Sequence, residues 1–217
     1  MAPVHRQASS GRALSAGTWL VTPDKFLTAA QVETLRSYLE HQRELLPDDK
    51  QTVRDAAIIE VLLGTGLRVS EVCALVVGDV FLDAGSVLVR RGKGGKARLV
   101  AIPTALSNYC RAFIAWKGEH GEKVSPEAPL FVSQRGGHLT RFGVHRRWKA
   151  ALQAAGQPLS WGVHATRHSY ATELYRRTRD LRLTQRQLGH SSPVVTQVYA
   201  SLVDDDVRRG VEMVWTR

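Results

Sequence analysis

Six residues between positions 68 and 199, namely Arg68, Lys93, His164, Arg167, His190 and Tyr199, have the types that phosphodiester chemistry calls for. A tyrosine oxygen can attack a phosphorus atom and keep the product as an ester, which conserves the bond energy and requires neither ATP nor a metal. Negative charge then spreads over the phosphoryl oxygens. Arg68 and Arg167 can each meet that charge with two N–H groups in a rigid fork, which a lysine cannot imitate. A phenol has an unperturbed pKa of about 10, so attack at neutral pH needs a base or a strongly cationic surround. His164 and His190 are candidates. The departing 5′ oxygen is a worse leaving group than phenolate and must receive a proton, a task suited to a lysine such as Lys93.

The local settings of these residues are distinctive. His164 and Arg167 stand three apart in His-Ala-Thr-Arg-His and share one helix face. His190 follows Leu-Gly, the glycine ending a short helix predicted over about Leu181 to Leu188. Tyr199 lies nine residues further, after Ser191-Ser192-Pro193, which reads as a cap followed by proline at the first helical position. Arg68 comes directly after Gly64-Thr-Gly66 and opens a short helix, Val69 to Leu75, with Glu71 within reach of the same face. An arginine here is a solvated cap or a ligand clamp. Lys93 and Lys96 sit in Gly92-Lys-Gly-Gly-Lys, a turn that packs poorly and contacts phosphate well. It lacks the spacing of a P-loop, and Lys93 alone reads as a solvated turn lysine.

The elements that must position these residues read as mainly helical with a small antiparallel sheet. Residues 1–25 mix Ser, Gly, Ala and basic residues without periodicity, which predicts a flexible basic arm. Thr28-Ala-Ala-Gln31 starts a helix with a capping box, and Val32, Leu35 and Leu39 form its apolar stripe. A second helix runs from Thr52 to Leu63. Ser86 to Arg91 and Arg98 to Pro103 predict a hairpin around the glycine-rich turn. A helix over Thr104 to Trp116, capped by Thr104, carries Leu106, Tyr109, Cys110 and Phe113 inward, and Gly118 to Pro129 reads as loop. Leu130 to Ser133 is a candidate strand. Thr140 caps a helix with Val144, Trp148, Ala151 and Leu152 inward, and Gly156 stops it.

The other face of that helix carries Arg141, His145, Arg146, Arg147 and Lys149, a candidate to track a nucleic-acid backbone together with Lys96 and Arg98 beside the hairpin turn. The balance of the chain agrees: 30 Lys and Arg against 20 Asp and Glu among 217 residues give +10, with a pI near 10.1. Nucleic acid is the leading partner and an anionic membrane surface the second. No stretch approaches the ~20 apolar residues of a spanning helix, and the first residues lack the apolar run of a signal peptide. A cytoplasmic protein is expected. Cys73 and Cys110, outside any C-x-x-C pair, fall in apolar helical patterns as ordinary buried thiols.

Taken in order, Arg68, Lys93, His164-x-x-Arg167, His190 and Tyr199 resemble the catalytic pattern of the tyrosine recombinase or phage integrase family. The resemblance runs from about Phe26 to the end of the chain. It implies a mainly helical catalytic domain over residues 26–217. It also implies a site-specific DNA recombinase in which Tyr199 forms a 3′-phosphotyrosyl link. By the same resemblance Lys93 is the general acid and His164 assists as base. Arg68, Arg167 and His190 hold the scissile phosphate, and Glu71 supports them. The partner is double-stranded DNA, at the nucleoid, with no cofactor and with a homotetramer assembled in synapsis. The tail, 201–217, has Val207, Val211 and Val214 at helical spacing, and packs on a neighbouring subunit or on its own domain. Most relatives carry a further N-terminal helical domain, for which the residues before Phe26 are too few. Rival readings are type IB topoisomerase-like DNA relaxation and a catalytically silent DNA-binding regulator. A zinc hydrolase using His164 and His168 lacks the glutamate of H-E-x-x-H, since Ala165 stands there.

Overall fold

A computed structural model describes residues 25–90, 97–134 and 136–189. Helix α1 (Ala29–Leu45) begins at Thr28, whose side chain accepts from the Gln31 N–H while the Gln31 side chain accepts from the Thr28 N–H. Both ends of the expected capping box are present. Helix α2 (Lys50–Thr65) starts at Asp49, which accepts from the Thr52 N–H, and stops at Gly66 with φ 63°. A left-handed residue at that position favours glycine. Arg68 then caps α3 (Val69–Ala74).

Almost every side of α2 is covered. Val53, Ala56, Ala57, Ile58, Ile59, Val61, Leu62 and Leu63 are buried, and the helix packs against α1, α3, α4 (Thr104–Glu119), α5 (Arg141–Ala154) and α6 (His164–Thr178). A helix whose apolar residues are buried all round and whose Arg54, Asp55 and Glu60 are each ion-paired belongs in a core, and α2 is the axis of this one. The inward stripe of α5 is as predicted, with Val144, Trp148, Ala151 and Leu152 buried. The Trp148 indole donates to the Trp161 carbonyl at 3.0 Å and so ties the segment before α6 to that core.

The sheet is small and antiparallel, in the order β1 (Val80–Phe81), β2 (Ser86–Val89), β3 (Arg98–Ala101). Val87 faces Val100 and Val89 faces Arg98, so the expected hairpin forms in a register that places Arg98 at the mouth of the turn. The turn carrying Lys93 and Lys96 lies outside the described residues, as do His190, Tyr199, the tail 201–217 and the arm up to residue 24. Strand β1, only two residues long, has no counterpart in the sequence reading.

Two local expectations are corrected. Thr104 is not a cap: Pro103 holds the N-cap position of α4, no side chain caps it, and the helix continues to Glu119. Leu130 to Ser133 is not a strand. Val132 makes only an isolated bridge with His138, and the buried Leu130 and Phe131 serve the core instead. The segment after α4 is the expected loop, from residue 120 onward, and it is anchored to the core. Glu122 receives Arg54 Nη2 at 2.6 Å and Lys117 Nζ at 2.7 Å, and Lys117 is fully buried. Two cations on one carboxylate make its burial tolerable.

Candidate active site

Chain geometry alone would leave Arg68 and Arg167 far apart, and Arg167 itself closes the distance. Its helix, α6, lies against α2, and its guanidinium donates through Nη1 to the Gly66 carbonyl at 2.7 Å and through Nη2 to the Leu188 carbonyl at 2.8 Å. Gly66 stands two residues before Arg68, and Leu188 two residues before His190. The residue is 6% exposed, so both bonds are shielded from water. A guanidinium carries five N–H donors, so gripping two carbonyls and gripping an anion are compatible tasks.

The carbonyls that Arg167 holds belong to helix ends. Gly66 terminates α2, and Leu188 is the last residue of α7 (Leu181–Leu188), which Asp180 caps through the Leu183 N–H and Gly189 ends at φ 66°. Such terminal carbonyls lack intrahelical partners, and a buried cation supplies them. The close approach is steric as well as polar. A Cβ at Gly66 would come within 2.5 Å of the Tyr170 ring and 3.1 Å of Leu188 Cδ2.

Glu71 organises the other arginine. One of its oxygens accepts from Arg68 Nη1 at 3.1 Å and the other from the Arg68 backbone N–H at 2.8 Å. Both also receive Arg98, at 2.9 Å from Nη1 and 3.0 Å from Nη2. Burial of Glu71 acts to raise its pKa. The hydrogen bonds from Arg98 and the Arg68 backbone, with both guanidinium charges, overcome that and hold it below the usual range. Glu71 therefore stays ionised at neutral pH.

His164 opens α6 and is exposed, with Arg167 one turn along the same face. Its pKa lies below the ordinary imidazole value through loss of hydration and then through the positive charges of His145, Arg167 and Arg68. A neutral imidazole with an available lone pair follows at pH 7. His145, on the basic face of α5, acts on His164 and so lies at the edge of the same site. His168, one turn beyond His164, is pushed down to about 4 by burial and by the charges of His164, Arg167 and Lys25.

The basic face of α5 is smaller than the sequence implied. Arg141 and Arg146 are exposed and His145 is half-buried, as a backbone-tracking face requires. Arg147 is not on it. It is 6% exposed and paired with Asp55 of α2, because position 147 lies three residues after Val144 and four before Ala151, inside the buried stripe. Lys149 Nζ donates to the Leu159 carbonyl and, at 2.9 Å, to the Trp161 carbonyl, which binds it to its own chain. Arg98 likewise departs from a backbone-contact role, since both Nη groups are committed to Glu71. Phe142, 77% exposed between Arg141 and Arg146, extends the solvent face of α5 and had not been singled out in the sequence.

Comparison with known proteins follows the same lines. The model of the phage integrase family matches residues 25–205. The chain is 35% identical over 190 residues to tyrosine recombinase XerA of Thermococcus kodakarensis, covering 87% of this chain and 62% of that protein. It is 34% identical over 239 residues to tyrosine recombinase XerC of Ralstonia pickettii, covering 93% and 73%. The chain thus spans 62% and 57% of the length of two archaeal XerA relatives. Among solved structures, the crystal structure of XerA recombinase aligns with a TM-score of 0.70 at 27% identity, over 89% of this chain and 64% of that one. XerH site-specific recombinase bound to difH substrate, a pre-cleavage complex, aligns with a TM-score of 0.68 at 26% identity, over 81% and 50%.

Proposed function

From the premise that this chain belongs to the phage integrase family, we propose that it is a site-specific recombinase that cuts and rejoins DNA strands through a covalent 3′-phosphotyrosyl intermediate at Tyr199. The observation that carries this reading is the clamp made by Arg167. One side chain joins the end of α2, which presents Arg68, to the end of α7, which leads into His190 and Tyr199. Relatives named as tyrosine recombinases, and a solved relative in a pre-cleavage complex with its DNA substrate, support the same assignment.

The mechanism follows from the residue types. Arg68, Arg167 and His190 hold the scissile phosphate and stabilise the charge that builds on its non-bridging oxygens. The Tyr199 oxygen attacks phosphorus as the P–O5′ bond breaks. The phenol proton passes toward neutral His164, and the 5′ oxygen takes a proton from Lys93, leaving a free 5′ hydroxyl and a 3′-phosphotyrosyl ester. Attack by a 5′ hydroxyl from a partner strand reverses these steps and restores a phosphodiester. Every bond broken is replaced by one of similar energy, so the cycle runs without an external energy source.

Double-stranded DNA is the substrate, engaged through the exposed Arg141 and Arg146 with His145. Exchange between two duplexes calls for four catalytic chains, one per strand cut, and so for a homo-oligomer assembled on DNA at the nucleoid. The tail 201–217 is the segment proposed to join neighbours. The test is covalent capture: a pool of nicked duplexes of randomised sequence is incubated with the full chain, and the protein–DNA adduct is isolated on a denaturing gel. Capture of a defined sequence supports a recombinase. Rapid relaxation of a plasmid lacking that sequence would instead indicate a topoisomerase-like activity.

A further inference from the structure

Arg98 occupies a position that neither backbone binding nor the core explains. It stands at the last register pair of the hairpin, opposite Val89 and two residues beyond Lys96, where a strand leaving a turn ordinarily exposes a basic side chain to solvent. Its guanidinium instead turns inward onto both oxygens of Glu71, at 2.9 and 3.0 Å, with only 15% of the side chain exposed. Glu71 in turn holds the Arg68 side chain at 3.1 Å and its backbone N–H at 2.8 Å. A chain of contacts therefore runs from the Lys93 hairpin through Arg98 and Glu71 to Arg68.

The same side chain reaches a third segment. A Cβ at Gly189 would lie 2.5 Å from Arg98 Nε and 2.7 Å from its Cδ, so the guanidinium passes directly over the backbone that precedes His190. Arg98 Nε is buried and has no hydrogen-bond partner among the described residues. Arg54 Nε and Arg147 Nε are buried in the same way within other ion pairs, so what sets Arg98 apart is that its two Nη groups on Glu71 hold it over Gly189.

We propose that Arg98 is a positioning residue for strand cleavage. By gripping Glu71 and lying across Gly189, it sets the Arg68 fork against the segment entering His190 and ties both to the hairpin that bears Lys93. It acts through Glu71 rather than on the phosphate. A lysine cannot reproduce this, because a single ammonium cannot meet both carboxylate oxygens in the plane of the fork. The inference rests on the recombinase reading for its kinetic consequence and on geometry alone for its structural one.

The test has two arms, both on the full chain. In the first, single-turnover cleavage of the duplex recovered by covalent capture is measured at saturating DNA for Arg98→Met, Arg98→Lys, Glu71→Gln and the Arg98→Met/Glu71→Gln pair. Misplacing a preorganised donor costs on the order of 10- to 100-fold. Arg98→Met and Arg98→Lys should both slow cleavage within that range while the DNA dissociation constant and its salt slope stay within about twofold, as expected when no phosphate contact is lost. The double variant should be no slower than the slower single one. In the second arm, the guanidinium N–H resonances of Arg68 are followed by NMR without DNA, and they should lose their resolved, slowly rotating signals in Arg98→Met. Wild-type cleavage by Arg98→Met, multiplicative effects in the double variant, or a reduced salt slope would overturn the proposal. If the wild-type chain captures no DNA, the recombinase reading fails. The NMR arm still decides: unchanged Arg68 signals in Arg98→Met would overturn the positioning role.

Discussion

Removing Arg167 should destabilise the protein as well as silence it. The guanidinium donates to two buried helix-end carbonyls, Gly66 at 2.7 Å and Leu188 at 2.8 Å. A hydrogen bond to a charged group contributes about 1.5–3 kcal/mol, and the acceptors, once abandoned, remain buried. Arg167→Ala therefore forfeits on the order of 3–6 kcal/mol, a large share of the roughly 5–15 kcal/mol that holds a typical domain folded. Arg167→Lys keeps the charge but has one compact head for two carbonyls, so about half of that loss remains. Urea unfolding of the full chain without DNA, followed by circular dichroism, measures both. A loss under about 1 kcal/mol for Arg167→Ala would refute the clamp and leave Arg167 as a phosphate ligand alone.

Other expectations follow from neighbouring features. Arg147→Gln should destabilise by about 3–5 kcal/mol by taking the charged partner from the half-buried Asp55, while Arg146→Gln on the exposed face should stay within about 0.5 kcal/mol and weaken DNA binding instead; denaturant melts and salt-dependent binding separate the two. His168 holds fewer protons folded than unfolded between its lowered pKa of about 4 and the ordinary 6.5. Its stabilising contribution is thus complete above pH 6.5 and lost as pH falls toward 4, and His168→Asn should flatten the stability profile across that window. Because the His164 pKa is also lowered, cleavage should keep its full rate at pH values where an ordinary histidine is already protonated; a rate falling with an inflection at 6.5 or above counts against neutral His164. Gly189→Ala should slow cleavage and destabilise α7, since it combines a left-handed φ of 66° with a contact 2.5 Å from Arg98 Nε.

Much of this was legible because it is local. The capping box at Thr28, the glycine stops at Gly66 and Gly189, the Thr140 cap and the stripe of α5 depend on residues within a turn or two, and each appears where its spacing put it. Arg147 was misplaced because its charge outweighed its position in the helical stripe, and the partner that makes its burial tolerable, Asp55, lies 92 residues away. Arg98 reads as a backbone contact for a similar reason. Nothing in a strand-end arginine signals a carboxylate 27 residues upstream. The Leu130 to Ser133 run carried strand-like residues without a strand to pair with, and Leu130 and Phe131 turned into the core. The order of the motif residues was readable, but the way Arg167 gathers their segments was not, since its acceptors are backbone carbonyls that any sequence possesses.

In the proposed reaction Tyr199 becomes covalently joined to DNA. Wild-type protein and Tyr199→Phe are incubated with the captured nicked duplex, digested with protease, and the DNA-linked peptide is identified by mass spectrometry. The expected result is a peptide carrying the 3′ phosphate on Tyr199 in the wild type and no adduct with Tyr199→Phe. An adduct that survives in Tyr199→Phe, or a wild-type link at any other residue, contradicts it.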